Sequence, residues 1–145
     1  MQEVINMRNI RNHIEANTWQ EAIQEAGNLL IEDNKITQNY VESMIHSVYE
    51  MGPYMVLMPG FALVHAAPSE AVKESSISLI TLKNPVTFGS PNDPVSVILC
   101  LACVDKTSHM NSLQVIAEKL MVEGMIQKLA NCNSSEELYS LINHN

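Results

Sequence analysis

Residues 95–104, Val-Ser-Val-Ile-Leu-Cys-Leu-Ala-Cys-Val, form a nearly continuous apolar run behind the turn residues Asn92-Asp93-Pro94. A strand with one wet face alternates apolar and polar side chains, and this run does not. It predicts a central strand covered on both faces, so the rest of the chain must supply helices to two sides of a sheet. The run is also far short of the ~20 residues that a membrane-crossing helix needs. At 145 residues, the chain has the usual length of one domain and can bury a sizeable core; a single domain over residues 1–145 is expected.

The flanking pattern supplies those helices. Ile10 to Ala16 reads as a first strand. Thr18-Trp19-Gln20-Glu21 then forms a capping box, with Thr18 bonding the amide of Glu21 and Glu21 reaching back. Trp19, Ala22, Ile23, Ala26, Leu29 and Leu30 follow at helical spacing. A second helix carries Tyr40, Val41, Met44, Ile45, Val48 and Tyr49, and Gly52-Pro53 stops it. Strand segments follow at 54–58, 61–65 and 77–82, the last closed by Asn84-Pro85. Helix returns from about Ser108 to Met121, from Glu123 to Ala130, and after the second capping box Ser134-Ser135-Glu136-Glu137. This order implies an α/β fold, a three-layer sandwich with a mixed central sheet flanked by helices.

Charge narrows the function classes. Sixteen acidic against eight basic residues give a formal net charge of −8, with no Lys/Arg cluster. Nothing is available to displace counterions from a phosphate backbone, so nucleic acid is not the expected partner. A basic protein face fits such a field better. The N-terminus has no basic-then-apolar signal pattern, and direct membrane insertion is not expected. Three cysteines, all in apolar or helical surroundings, argue for a reducing cytoplasm rather than a disulfide framework.

Cys100-x-x-Cys103 has the spacing of a redox or zinc motif. On a strand, however, residues three apart point to opposite faces, and core packing is the simpler reading. The nine methionines read as core filler. His65 stands out because residues 51–69 carry no formal charge and it is their one imidazole. It ends an apolar strand beside Ala66-Ala67-Pro68. As a structural histidine it would merely satisfy a hydrogen bond. As a functional one it offers a neutral nitrogen nucleophile, with apolar walls to keep water from a covalent intermediate. His109 follows the most apolar strand through Asp105-Lys106-Thr107-Ser108 and opens a helix. Thr107 or Ser108 is an expected N-cap, and free N–H groups with the positive helix end would suit an anion there. His109 then donates to a phosphoryl oxygen, or is simply a solvated helix-start residue. His13, His46 and His144 have no such setting. A metal held by His65, His109 and Asp105 is a weaker alternative.

The stretch Glu50-Met-Gly-Pro-Tyr-Met-Val-Leu-Met-Pro-Gly-Phe-Ala-Leu-Val-His65-Ala-Ala-Pro68 resembles the active-site region of enzyme IIA proteins of the bacterial sugar phosphotransferase system, mannitol/fructose superfamily. The Gly-Pro-Tyr…Pro-Gly-x-Ala-x-x-His pattern is most similar to the ascorbate-type branch. The likeness continues through Leu82-Lys-Asn-Pro85, Asn92-Asp-Pro94 and the 104–109 turn, and covers essentially the whole chain. It implies that His65 accepts a phosphoryl group from the phosphohistidine of HPr and passes it to a cysteine of the cognate enzyme IIB. It further implies that His109 steadies that group, that no metal or organic cofactor is required, and that the transported substrate is L-ascorbate. A regulatory domain of the same fold, acting through its phosphorylation state, is the rival function. The chain departs from the pattern at Val64, where the family usually has Pro, and at Ala67, where ascorbate-type members commonly have Arg. The arginine that mannitol-type members carry in the preceding helix also has no match in 44–49.

Overall fold

The computed structural model describes residues 3–107 and 110–144. Its strands are β1 (Ile10–Ile14), β2 (Val56–Met58), β3 (Phe61–Val64), β4 (Ser76–Val86) and β5 (Val95–Ala102). Its helices are α1 (Trp19–Glu32), α2 (Gln38–Met51), α3 (Met110–Leu120), α4 (Met125–Ala130) and α5 (Ser135–Asn143). The sheet order is β1-β4-β5-β3-β2. Pairing is parallel for β1/β4 and β3/β5 and antiparallel for β4/β5 and β2/β3, so the sheet is mixed.

The apolar run predicts its own position correctly. In β5, Ile98, Cys100 and Ala102 enter one core with Leu30, Val41 and Met44 of α1 and α2. Val97 and Leu99 enter the other with Ile116, Leu129 and Leu138 of α3, α4 and α5. Alternating side chains of one strand thus serve two cores, which makes the three-layer sandwich. Each fully buried Leu or Ile contributes roughly 1.5–3 kcal/mol by leaving water.

The helix ends follow from their sequences. Thr18 Oγ1 accepts from the Glu21 N–H at 3.1 Å, and Ser134 Oγ accepts from Glu137 N–H at 3.0 Å. The returning carboxylates reach one residue further than the simple box: Glu21 Oε2 accepts from Asn17 N–H and Glu137 Oε2 from Asn133 N–H, each at 3.0 Å. α1 closes on a Schellman turn, with Lys35 N–H to Leu30 C=O and Asn34 N–H to Ile31 C=O. Asn34 takes the left-handed φ of 61° that this turn needs. α2 closes on Gly52, whose φ of 80° and N–H bond to Val48 C=O end the helix before Pro53.

Several boundaries differ from the sequence reading. β1 stops at Ile14, two residues short of the expected Ala16, and His13 at φ 52° marks a shift of its register against β4. β2 shrinks to three residues between Pro53 and Pro59-Gly60, leaving Tyr54 in a turn. β4 does not close at Asn84-Pro85; it runs to Val86 through an exposed stretch where the register against β5 shifts. Proline lacks an N–H donor and is tolerated at such an irregularity. β3 and β5 end at Val64 and Ala102, one and two residues earlier than read. The described part of α3 starts at Met110, and α4 starts at Met125 behind Gly124 rather than at Glu123.

Candidate functional site

His65 is the first residue beyond β3, half-buried at the edge where β3 and β5 both end. β3 buries Phe61 on the α3 side and Ala62 and Val64 on the α1–α2 side. The alternation sends His65 toward the α3 side. Its Nδ1 lies 3.0 Å from the Leu63 carbonyl oxygen. A carbonyl can only accept, so Nδ1 carries the proton. Neutral imidazole then has its lone pair on Nε2. The ring meets the edge of Tyr54, centroid to centroid 5.7 Å at 87°. Tyr54 is 40% exposed, so this wall of the site faces solvent.

The backbone after His65 is held from α2. The buried Tyr40 hydroxyl accepts from Ala66 N–H at 2.9 Å and donates to Leu101 C=O at 2.7 Å, with Ala66 C=O a longer 3.2 Å away. Burial is the main cause raising the Tyr40 phenol well above its ordinary range, assisted by nearby Cys100. The phenol therefore stays protonated and keeps both roles.

Opposite His65, β5 leads through 103–107 into α3. Thr107 N–H donates to Asp105 Oδ1 at 2.9 Å, and its hydroxyl lies 3.3 Å from the same oxygen. This Asx turn places Thr107 on the loop that approaches α3, three residues before Met110. His109 and Ser108, the other two residues expected at this edge, lie outside the described residues. Among the described residues no group of three or more His, Cys, Asp or Glu side chains could hold a metal ion.

Cys100 and Cys103 do not converge as a pair site. Cys100 is fully buried with its Sγ 3.8 Å from Met44 Sδ, and burial pushes its thiol up to about 12. Cys103 is partly exposed beyond the strand end, and burial followed by the charge of Asp105 raises its thiol too. Two other histidines are engaged elsewhere: His46 Nε2 bonds Glu50 Oε1 across one helical turn of α2, and His13 Nε2 bonds the distant Ala130 C=O.

Between the sheet and α3 lies a cavity of about 290 Å³, walled by Leu57, Phe61, Leu63, Leu99, Leu113 and Ile116 among others; His65 is not part of its wall. Its lining is wholly apolar, so it offers no hydrogen bond to a sugar hydroxyl or a phosphoryl oxygen. Among the described residues, the chemistry of the site is that of one oriented imidazole at a strand end. Sequence reasoning singled out His65 and read Tyr40 only as an apolar helix position and Tyr54 only as part of the Gly-Pro-Tyr pattern; the contacts of both tyrosines come from the structure. A tyrosine among buried helix positions was the available signal for Tyr40, since a buried phenol must find partners.

The family model described as "Phosphoenolpyruvate-dependent sugar phosphotransferase system, EIIA 2" matches residues 3–145. The chain belongs to that family. The "Ascorbate-specific PTS system EIIA component" of Salmonella typhimurium is 36% identical over 135 residues, covering 92% of this chain and 88% of that protein. The mannitol-specific cryptic phosphotransferase enzyme IIA CmtB from Escherichia coli has the same fold, with a TM-score of 0.87 at 28% identity over 97% and 98% of the two chains. The fold also matches Escherichia coli enzyme IIA Mtl, solved in complex with phosphorylated enzyme IIB Mtl, with a TM-score of 0.81 at 22% identity over 95% and 96%. This EIIA is thus a phosphotransferase component of a sugar phosphotransferase system. No helix among its described residues is long and apolar enough to cross a membrane.

Proposed function

We propose that His65 Nε2 accepts a phosphoryl group from the phosphohistidine of HPr and delivers it to a cysteine of the cognate enzyme IIB. The observation that carries this reading is the Nδ1–H bond to Leu63 C=O at 3.0 Å, which leaves the Nε2 lone pair as the nucleophile. In the first step that pair attacks phosphorus in line, the donor P–N bond breaks, and its electrons return to the HPr imidazole. The phosphorylated His65 ring takes on positive character, and the Leu63 carbonyl stabilises the proton held at Nδ1. In the second step a thiolate of enzyme IIB attacks phosphorus, and the P–Nε2 bond returns its pair to His65. The protein's work is positioning and shelter. The uncharged stretch 51–69 and the half-buried ring limit hydrolysis between the two steps.

His109 would steady the phosphoryl oxygens, with Thr107 and Ser108 contributing at the same edge. Residues 1–145 would act as one EIIA domain in the cytoplasm. The net charge of −8 suits docking of a basic HPr face. L-ascorbate is the proposed transported substrate, because the ascorbate-specific EIIA of Salmonella typhimurium is 36% identical over nearly the whole chain. Enzyme IIB as acceptor is supported by the complex formed by the more distant enzyme IIA Mtl.

The test is transfer from ³²P-labelled HPr to this EIIA and onward to a panel of purified enzymes IIB. Acid-labile label on wild type, none on His65→Ala, and fastest delivery to an ascorbate-type enzyme IIB are expected. Label on His65→Ala at the wild-type rate overturns the proposal. Label that reaches no enzyme IIB would favour the regulatory role instead.

A further inference from the structure

The phenol of Tyr40 does more than satisfy itself in the core. β3 and β5 pair in parallel register with Val64 opposite Cys100, and Val97 N–H bonds Gly60 C=O. Even-numbered residues of β3 therefore face β5, and the next ladder bond would run from Ala66 N–H to Leu101 C=O. That bond is relayed instead: Ala66 N–H donates to Tyr40 Oη at 2.9 Å, and Tyr40 O–H donates to Leu101 C=O at 2.7 Å. The hydroxyl is inserted into the ladder as a bridging water would be, and the strands part by one oxygen immediately after His65. Tyr40 itself is fully buried and anchored in α2, so the inserted oxygen cannot drift.

Building on the proposed role of His65, we infer that Tyr40 is a positioning residue for phosphoryl transfer. It fixes the residue after His65, while Leu63 C=O, two residues before, fixes the ring nitrogen. The imidazole is thus clamped from both sides in sequence, with Nδ1 oriented inward and Nε2 outward. Without the hydroxyl, Ala66 N–H and Leu101 C=O must either close on each other, drawing the His65 backbone toward β5, or go unpaired. Either outcome moves Nε2 from its line of attack, and in-line transfer is sensitive to such displacement.

The experiment compares wild type, Tyr40→Phe and Leu30→Ala, a buried variant on α1 that takes no part in the hydrogen bonds around His65 and Ala66. Phosphorylation by phospho-HPr is timed, and the imidazole ¹⁵N shifts of His65 are recorded without any donor. For Tyr40→Phe, kcat should fall about tenfold or more, about 1.4 kcal/mol in barrier, with the KM for HPr within about twofold of wild type. The ¹⁵N shifts should report loss of the single Nδ1–H tautomer. Leu30→Ala should lower thermal stability yet transfer at the wild-type rate. Wild-type kcat and tautomer in folded Tyr40→Phe overturn the inference while leaving the role of His65 intact. Absence of label on wild type overturns both. Should Tyr40→Phe not fold, 3-fluorotyrosine at position 40 keeps the shape and weakens the oxygen as acceptor. A slowing of about twofold is then expected, and an unchanged rate overturns the inference.

Discussion

Two histidines lie at irregular ends of this sheet and hold a backbone carbonyl at nearly equal distance. His13 Nε2 meets Ala130 C=O at 3.1 Å at the β1 edge, and His65 Nδ1 meets Leu63 C=O at 3.0 Å beyond β3. The difference lies in what surrounds each bond. Around His13 the polar partners come from other structural elements: Asn12 N–H bonds Ser135 Oγ, Asn12 Nδ2 bonds Cys132 C=O, and Thr81 Oγ1 serves both Asn12 Oδ1 and His13 N–H. That network ties the strand to α4 and α5, and His13 is a strut within it. Beyond β3 the carbonyl is the histidine's own neighbour, so the bond ties the ring to nothing distant. It fixes a tautomer and an orientation and leaves the second nitrogen available. A histidine that bridges elements is structural; one that is only oriented is poised for chemistry.

The largest effect that would break this contrast is a swap of roles. His65→Ala should abolish labelling by phospho-HPr with little change in melting temperature. His13→Ala should keep labelling but cost about 1–2 kcal/mol, from the lost bond and the left-handed φ that alanine tolerates poorly. Label retained by the first or lost by the second would reverse the assignment. Next in size, Thr81→Val strips the β1 network of its central hydroxyl. It should lower stability by about 1–3 kcal/mol in urea melts without slowing transfer.

A pH titration sharpens the contrast at the core behind β3. The Cys100 thiol is raised from 9.0 to about 12 by burial. The unfolded chain therefore loses this proton at lower pH than the folded one. Stability is complete below pH 9 and falls as pH rises from there toward about 12. The slope approaches ~1.4 kcal/mol per pH unit for one proton. Cys100→Ala should flatten it, although Tyr40, raised in the same direction, keeps a contribution above its ordinary range. The smallest effect is expected from Ser134→Ala, which removes the α5 cap far from His65. It should cost about 1 kcal/mol in thermal melts and leave transfer unchanged.

How much of this was legible in sequence depended on whether the signal was local. The apolar run 95–104 announced a two-sided strand because the burial of β5 is written in its own side chains. Both capping boxes were readable because their partners lie three or four residues apart. His65 could be singled out because its uncharged surroundings are contiguous. Tyr40 could not: its partners are 26 and 61 residues away, and in an amphipathic pattern a phenol counts as apolar. The extension of β4 through Pro85 was hidden for a similar reason. Whether a proline ends a strand depends on the register of its neighbour, which only the sheet displays. The structural character of His13 was equally non-local, resting on Thr81 and on the end of α4.

His65 Nε2 is the proposed phosphoryl acceptor because Leu63 C=O holds the proton at Nδ1. The most direct measurement is ³¹P and ¹⁵N NMR of the chain after reaction with phospho-HPr. A phosphohistidine at residue 65, phosphorylated on Nε2 with Nδ1 still protonated, is the predicted result. Phosphate on Nδ1, or on any residue other than His65, would contradict it.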